Sequence, residues 1–194
     1  MMDEGPARRA RDLLGNLMVI GLVAVVWLLA VFLNNYVFFV WTQKEAYIHW
    51  IFVPAGVRIV LIMLFGWRAA VGMALGAIPA IDDILPGIGL CMVAFVASGA
   101  ALMPWLSVAL FSAVLGPRHP WTDLDWWHLP VLAVLCAFVS ELFLNVQLIV
   151  LGFEERADFA GNLLSGTIGN FLGALLLLVA TVAGIRLFRA TRAG

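Results

Sequence analysis

The chain has 194 residues, 64% of them hydrophobic and only 12% charged, with a net charge of -1 and a mean hydropathy of +1.05. Soluble domains carry about 25% charged residues, so the composition excludes an aqueous catalytic or signalling domain and predicts one membrane domain over residues 1–194, with a basic segment at 1–12 and a short basic tail at 188–194. No basic face exists to displace phosphate counterions, which excludes nucleic acid as a partner.

Apolar runs are interrupted by five polar breaks, at Thr42 to His49, Trp67 to Arg68, Asp82 to Gly87, Gly116 to His128 and Gly152 to Asp158. Six segments result. The first, Leu13 to Trp41, exceeds the roughly 20 residues a membrane span needs and is too long for the apolar region of a secretory signal. The second and third, Ile51 to Gly66 and Ala69 to Ile81, are short; they span with their flanks included, or they form a re-entrant hairpin. The fourth, Ile88 to Leu115, contains Pro104, which predicts a kink or break. The fifth, Leu129 to Leu151, is interrupted by one acidic residue, Glu141, and the sixth begins near Phe159.

Cytoplasmic flanks collect Lys and Arg. With six spans and the N-terminus inside, the inner side holds Arg8, Arg9, Arg11, Arg68, Arg118, Arg186, Arg189 and Arg192, against Lys44 and Arg156 outside. Tryptophans 41, 50, 67, 121, 126 and 127 fall at the boundaries that indole prefers, whereas Trp27 and Trp105 do not and read as packing residues. The expected fold is all-α: a polytopic inner-membrane protein with six transmembrane helices and both termini cytoplasmic. No internal repeat supports an inverted-repeat transporter.

Polar groups in hydrocarbon are costly and mark candidate sites. Counted at 1.5 Å per residue, Arg58 lies about 11 Å below an outer boundary at Ile51, Glu141 about 15 Å below Leu151, and Asn170 about 16 Å along a helix that starts at Phe159. These three, with Asn145 one turn from Glu141 and Asn162, Thr167 and Gln147 nearer the surface, predict an outward-facing ligand pocket built from segments two, five and six. Two other readings stand beside it. Amides and hydroxyls also serve as interhelical hydrogen-bond glue, and Glu141 with Arg58 reads equally as a structural ion pair or as a proton-carrying carboxyl near a cation.

Gly72 and Gly76 form a GxxxG pattern, and Gly166, Gly169 and Gly173 repeat along segment six. Such residues let helix backbones approach, or let a backbone line a pocket. Cys91 and Cys136 lie in apolar runs and read as core residues. The loop from Arg118 to His128 has two His and two Asp, but its spacing matches no metal site, and it reads as an interfacial loop anchored by tryptophans. His49, beside Trp50, reads as an interface residue. No nucleophile and base pattern or phosphate loop is present; neither an enzyme nor a cofactor is expected.

The run Trp50-Ile51-Phe52-Val53-Pro54-Ala55-Gly56-Val57-Arg58, with Leu64-Phe65-Gly66-Trp67-Arg68 and Gly72-Met73-Ala74-Leu75-Gly76-Ala77, resembles the start of the MASE1 family of bacterial membrane sensory domains. The resemblance covers about 28 of the residues; Gly161-Asn162 and Leu172-Gly173 echo a later family pattern in which Asp stands where this chain has Asn. It implies a multi-helix inner-membrane module that senses a signal or recruits a partner. Family members have more helices and are fused to a kinase, cyclase or phosphodiesterase, so a module of this length implies a partner chain. In length and helix number the chain is also similar to the substrate-binding components of energy-coupling-factor vitamin transporters, although the small-residue contact expected on their first helix is missing here, Ala24 and Ala30 being six apart. Transport of a small molecule is therefore the alternative function.

Overall fold

The structure is a computed structural model that describes residues 5–45, 48–85, 87–115 and 127–193. Most of the Arg118 to His128 loop lies outside these residues. The fold is helical, with α1 at Gly5–Leu33, α2 at Pro54–Phe65, α3 at Trp67–Ile84, α4 at Leu90–Leu115, α5 at His128–Val150 and α6 at Phe159–Ala193. Between α1 and α2 the chain forms a π turn at Asn34–Phe38, a short 3-10 turn, and a two-strand ribbon, β1 at Gln43–Glu45 and β2 at Ile48–His49. Four helical stretches, Arg9–Phe38, Leu90–Leu115, His128–Val150 and Phe159–Gly184, are long and apolar enough to cross a membrane. Pro104 does not break α4, which runs through it as one helix.

The two short segments differ from each other. α3 has 18 residues, about 27 Å, but carries Arg68, Asp82 and Asp83 at its ends. α2 has 12, about 18 Å, too short to cross hydrocarbon alone. Residues 49–53 supply what is missing. They are not helical, yet they lie on α6: the Phe52 N–H donates to the Gly169 carbonyl at 3.1 Å, and Cβ atoms at Gly169 and Gly173 would overlap the His49 and Phe52 carbonyls. Gly169 and Gly173 are about 15 and 21 Å along α6, so the chain descends in open form before α2 begins, with Pro54 in its first turn where the missing N–H costs nothing.

Gly66 alone connects α2 to α3, and its φ of +59° is a conformation that side chains other than glycine resist. α3 then packs along α1, Gly72 facing Ile20 and Val23 and Gly76 facing Ala24, so these two helices run parallel. α2 runs parallel to α6, Gly56 meeting Ala174 and Leu177. α5 runs antiparallel to α4, where Gln147 donates to the Phe95 carbonyl at 2.7 Å, and antiparallel to α6, where Asn162 donates to Glu154 at 2.9 Å. The helices α1, α3, α4, α5 and α6 thus follow one another in an arc, each in contact with the short α2.

The α1–α3 seam gives a direct check. Gly76→Ala is expected to cost about 1–3 kcal/mol, because the added methyl meets the Ala24 backbone and not a movable side-chain end. Gly21→Ala, where nothing lies within 4 Å of the new carbon, should cost nothing and gain up to about 1 kcal/mol from helix propensity. Equilibrium unfolding in micelles would compare the two, and equal losses would remove the backbone contact as the reason for glycine.

Candidate functional site

Arg58 enters the centre of the bundle because α2 does. Side chains of a helix lean toward its N-terminus, so Arg58 points back toward the end of α2 where the open segment arrives. Its guanidinium lies 5.5 Å from the ring centre of Trp27 on α1 and 5.9 Å from that of Phe52, a flanking that suits a weakly hydrated planar cation. Nη2 donates to Asn170 Oδ1 at 3.2 Å, and Asn170 Nδ2 donates in turn to Glu141 Oε1 at 2.5 Å. Arg58 and Glu141 are 6% and 7% exposed, and Asn170 is 2% exposed.

The direct Arg58–Glu141 ion pair expected from depth counting is therefore replaced by a relay. Asn170 has one acceptor and one donor group on a single planar amide, and it satisfies the cation with one and the anion with the other. Asn145 completes the carboxylate's surroundings, its Nδ2 donating to the Glu141 carbonyl at 2.8 Å and lying 3.4 Å from Oε2. Gly166 is the fifth member: a Cβ there would overlap the Glu141 carboxyl group. This glycine makes room for the site, whereas Gly72 and Gly76 serve helix packing.

The relay forms the polar floor of a cavity of about 130 Å³. All six helices line it and not segments two, five and six alone: Trp27, Val31 and Asn35 come from the first helix and its π turn, His49 and Phe52 from the open segment, and Ala77, Ile81, Val96, Leu144 and Leu148 from α3, α4 and α5. Asn145, Asn162 and Thr167 are not among the lining residues. Asn162 ties α6 to Glu154, and Thr167 Oγ1 is buried with no hydrogen-bond partner. Gln147 ties α5 to α4. Gln147 and Asn162 thus act as interhelical hydrogen-bond glue, whereas Arg58, Glu141 and Asn170 line the cavity.

Sequence reasoning missed Trp27, Asn34, Asn35, His49 and Phe52. His49, expected at the headgroup level, is 4% exposed and stacks on Phe52 with ring centres 5.8 Å apart. Two adjacent amides inside the first apolar run were the available signal: Asn34 Oδ1 accepts the Val53 N–H at 3.1 Å and its Nδ2 donates to Asn35 Oδ1 at 3.3 Å. Open backbone away from water must be satisfied inside the protein, and Asn34 does this at the first turn of α2. Among the described residues no group of His, Cys, Asp or Glu is placed to hold a metal ion.

No protein-family model, curated protein or solved structure matches this chain.

Replacing Asn170 by Ala is expected to cost about 2–4 kcal/mol, since it strips a hydrogen bond from each of two buried charged groups. Gln147→Ala, which removes a neutral bond to one carbonyl, should cost about 1–2 kcal/mol. A cycle of Arg58→Met, Glu141→Leu and the double variant should show coupling of about 1–3 kcal/mol, because each single change strands the other charge. Additive single effects in the same unfolding assay would mean that the two charges do not act as one unit.

Proposed function

We propose that this chain is a non-enzymatic, multi-pass inner-membrane module with six membrane segments and both termini on the cytoplasmic side, which recognises a small molecule in its intramembrane cavity and acts through a partner chain as a sensory or assembly subunit. The observation that carries this reading is the relay Arg58–Asn170–Glu141 at the floor of a cavity reached by open backbone. A fold that needs only hydrogen-bond glue has no use for two opposed charges in a dry interior, which cost more in desolvation than apolar packing would.

The arrangement of α2 supports the same conclusion. Short helices that begin inside the membrane place their N-terminal ends, and the irregular backbone before them, around binding sites in membrane transporters. Here the residues of the MASE1 resemblance, Trp50 to Arg58, are the open segment and the first turns of that short helix. The helix directions agree with six alternating segments, and the basic sequence positions Arg9, Arg11 and Arg68 then fall on one side with the C-terminal arginines.

The alternative, a substrate-binding component of a transporter, uses the same cavity with a different partner. Purification of the full chain from its native membrane in mild detergent, with identification of associated chains and of solvent-extractable small molecules, tests both. A regulatory or membrane-enzyme partner together with a small molecule that is lost in Arg58→Met is the expected result. An ATPase pair in place of that partner would select transport, and a chain that runs alone with nothing extractable would overturn both readings.

A further inference from the structure

The cavity has a second side. Over one half of their contact α1 and α3 meet backbone to backbone at Gly72 and Gly76, but beyond Pro79 they part, leaving a cleft of about 460 Å³ bordered by Phe32 and Tyr36 on one side and Pro79 and Asp83 on the other. Val31, Asn35, Ala80 and Ile84 line both this cleft and the cavity over the relay, so these side chains are the partition between them. Phe32 and Tyr36 are more than half exposed, on an apolar helix surface where lipid is the natural neighbour. Both helices are irregular there. α1 widens into the π turn, and Pro79 deprives the Leu75 carbonyl of its helical donor. Across the cleft the Tyr36 hydroxyl donates to the Asp83 carboxylate.

Arg58 brings five N–H donors to the cavity. Asn170 engages one guanidinium N–H of Arg58 and one oxygen of Glu141, while Trp27 Nε1 and His49 Nδ1, in side chains each 4% exposed, have no hydrogen-bond partner. An indole N–H can only donate. With Glu141 ionised the relay is neutral overall, so a ligand bearing net charge would bring an uncompensated ion into a buried site. Apart from Asn35, Phe52 and Gly166 the rest of the lining is aliphatic, and a cavity of about 150 Å³ is known to accommodate a single benzene ring.

We propose that the cavity takes a neutral, ring-sized amphiphile carrying a carbonyl-type hydrogen-bond acceptor, and that this molecule passes into it sideways from the bilayer through the cleft between α1 and α3, with Tyr36 and Asp83 as the latch. The proposal rests on the reading of the cavity as a small-molecule site and adds its ligand class and route. The acceptor meets the donor groups of Arg58, and the ring lies along Ile81, Leu144 and Leu148.

Fluorine NMR of the full chain in lipid nanodiscs tests this with three probes of one shape, para-fluoroacetophenone, para-fluorobenzoate and para-fluorobenzylammonium, with Ala77→Phe as the filled-cavity reference for binding outside the site. The neutral ketone is expected to bind, and both charged probes about tenfold more weakly or worse. Tyr36→Phe, which removes the latch at an exposed position, should raise the ketone's exchange rate about fivefold, the worth of one hydrogen bond, with affinity nearly unchanged. Preference for a charged probe would overturn the ligand class and leave the site standing. Ketone binding with exchange unaltered in Tyr36→Phe would overturn the lateral route. Binding of none of the three would overturn the proposal, and if nothing were extractable from the purified chain either, the small-molecule reading would fall with it.

Discussion

One guanidinium held away from water organises this protein. Arginine does not give up its proton in a folded protein, so the charge of Arg58 has to be met where it stands. The structure meets it from four directions, with two aromatic faces, one amide and, through that amide, one carboxylate. Each of these comes from a different part of the chain: Trp27 from α1, Phe52 from the open segment, Asn170 from α6 and Glu141 from α5. Misplacing any one element leaves a charge without its complement, and that penalty ties the packing of the whole bundle to the geometry of a single side chain.

The second constraint is backbone. A chain that descends without helical hydrogen bonds carries free N–H and C=O groups that the bilayer cannot satisfy. Here they are taken up by α6 and by the end of α1, through the Gly169 carbonyl and Asn34 Oδ1, and glycines at 169 and 173 let the segment lie against the α6 backbone. The small residues of α6 therefore serve two different purposes along one face: space for a carboxylate at Gly166 and close backbone contact at Gly169 and Gly173. Short α2 is affordable only because this substitute structure occupies the depth that the helix leaves empty.

What the sequence made legible follows from how conspicuous a charge or amide is in an apolar run. Arg58, Glu141 and Asn170 stand out, and a rise of 1.5 Å per residue is enough to bring them to one layer. Counting placed Arg58 by assuming a helix from Ile51; the helix starts at Pro54, already well inside, and the two still meet because the long side chain reaches back toward the N-terminal end. His49, Phe52 and Asn34 were not legible for a physical reason. Hydropathy describes residues by the medium they prefer, and a loop that turns inward borrows its solvation from protein. The same limit applies to Asn162 and Thr167, whose spacing on α6 gave the right helix but not that both lie off the cavity.

The single-residue joint at Gly66 has a mechanical consequence. α2 and α3 share no slack, since Phe65 ends one helix and Trp67 begins the next. Any axial displacement of the helix that carries Arg58 is delivered undiminished to the foot of α3, and from there to α1 along a seam too close to slip. The charge at the centre and the α1–α3 seam are in this sense joined through a single glycine, one residue before α3 begins.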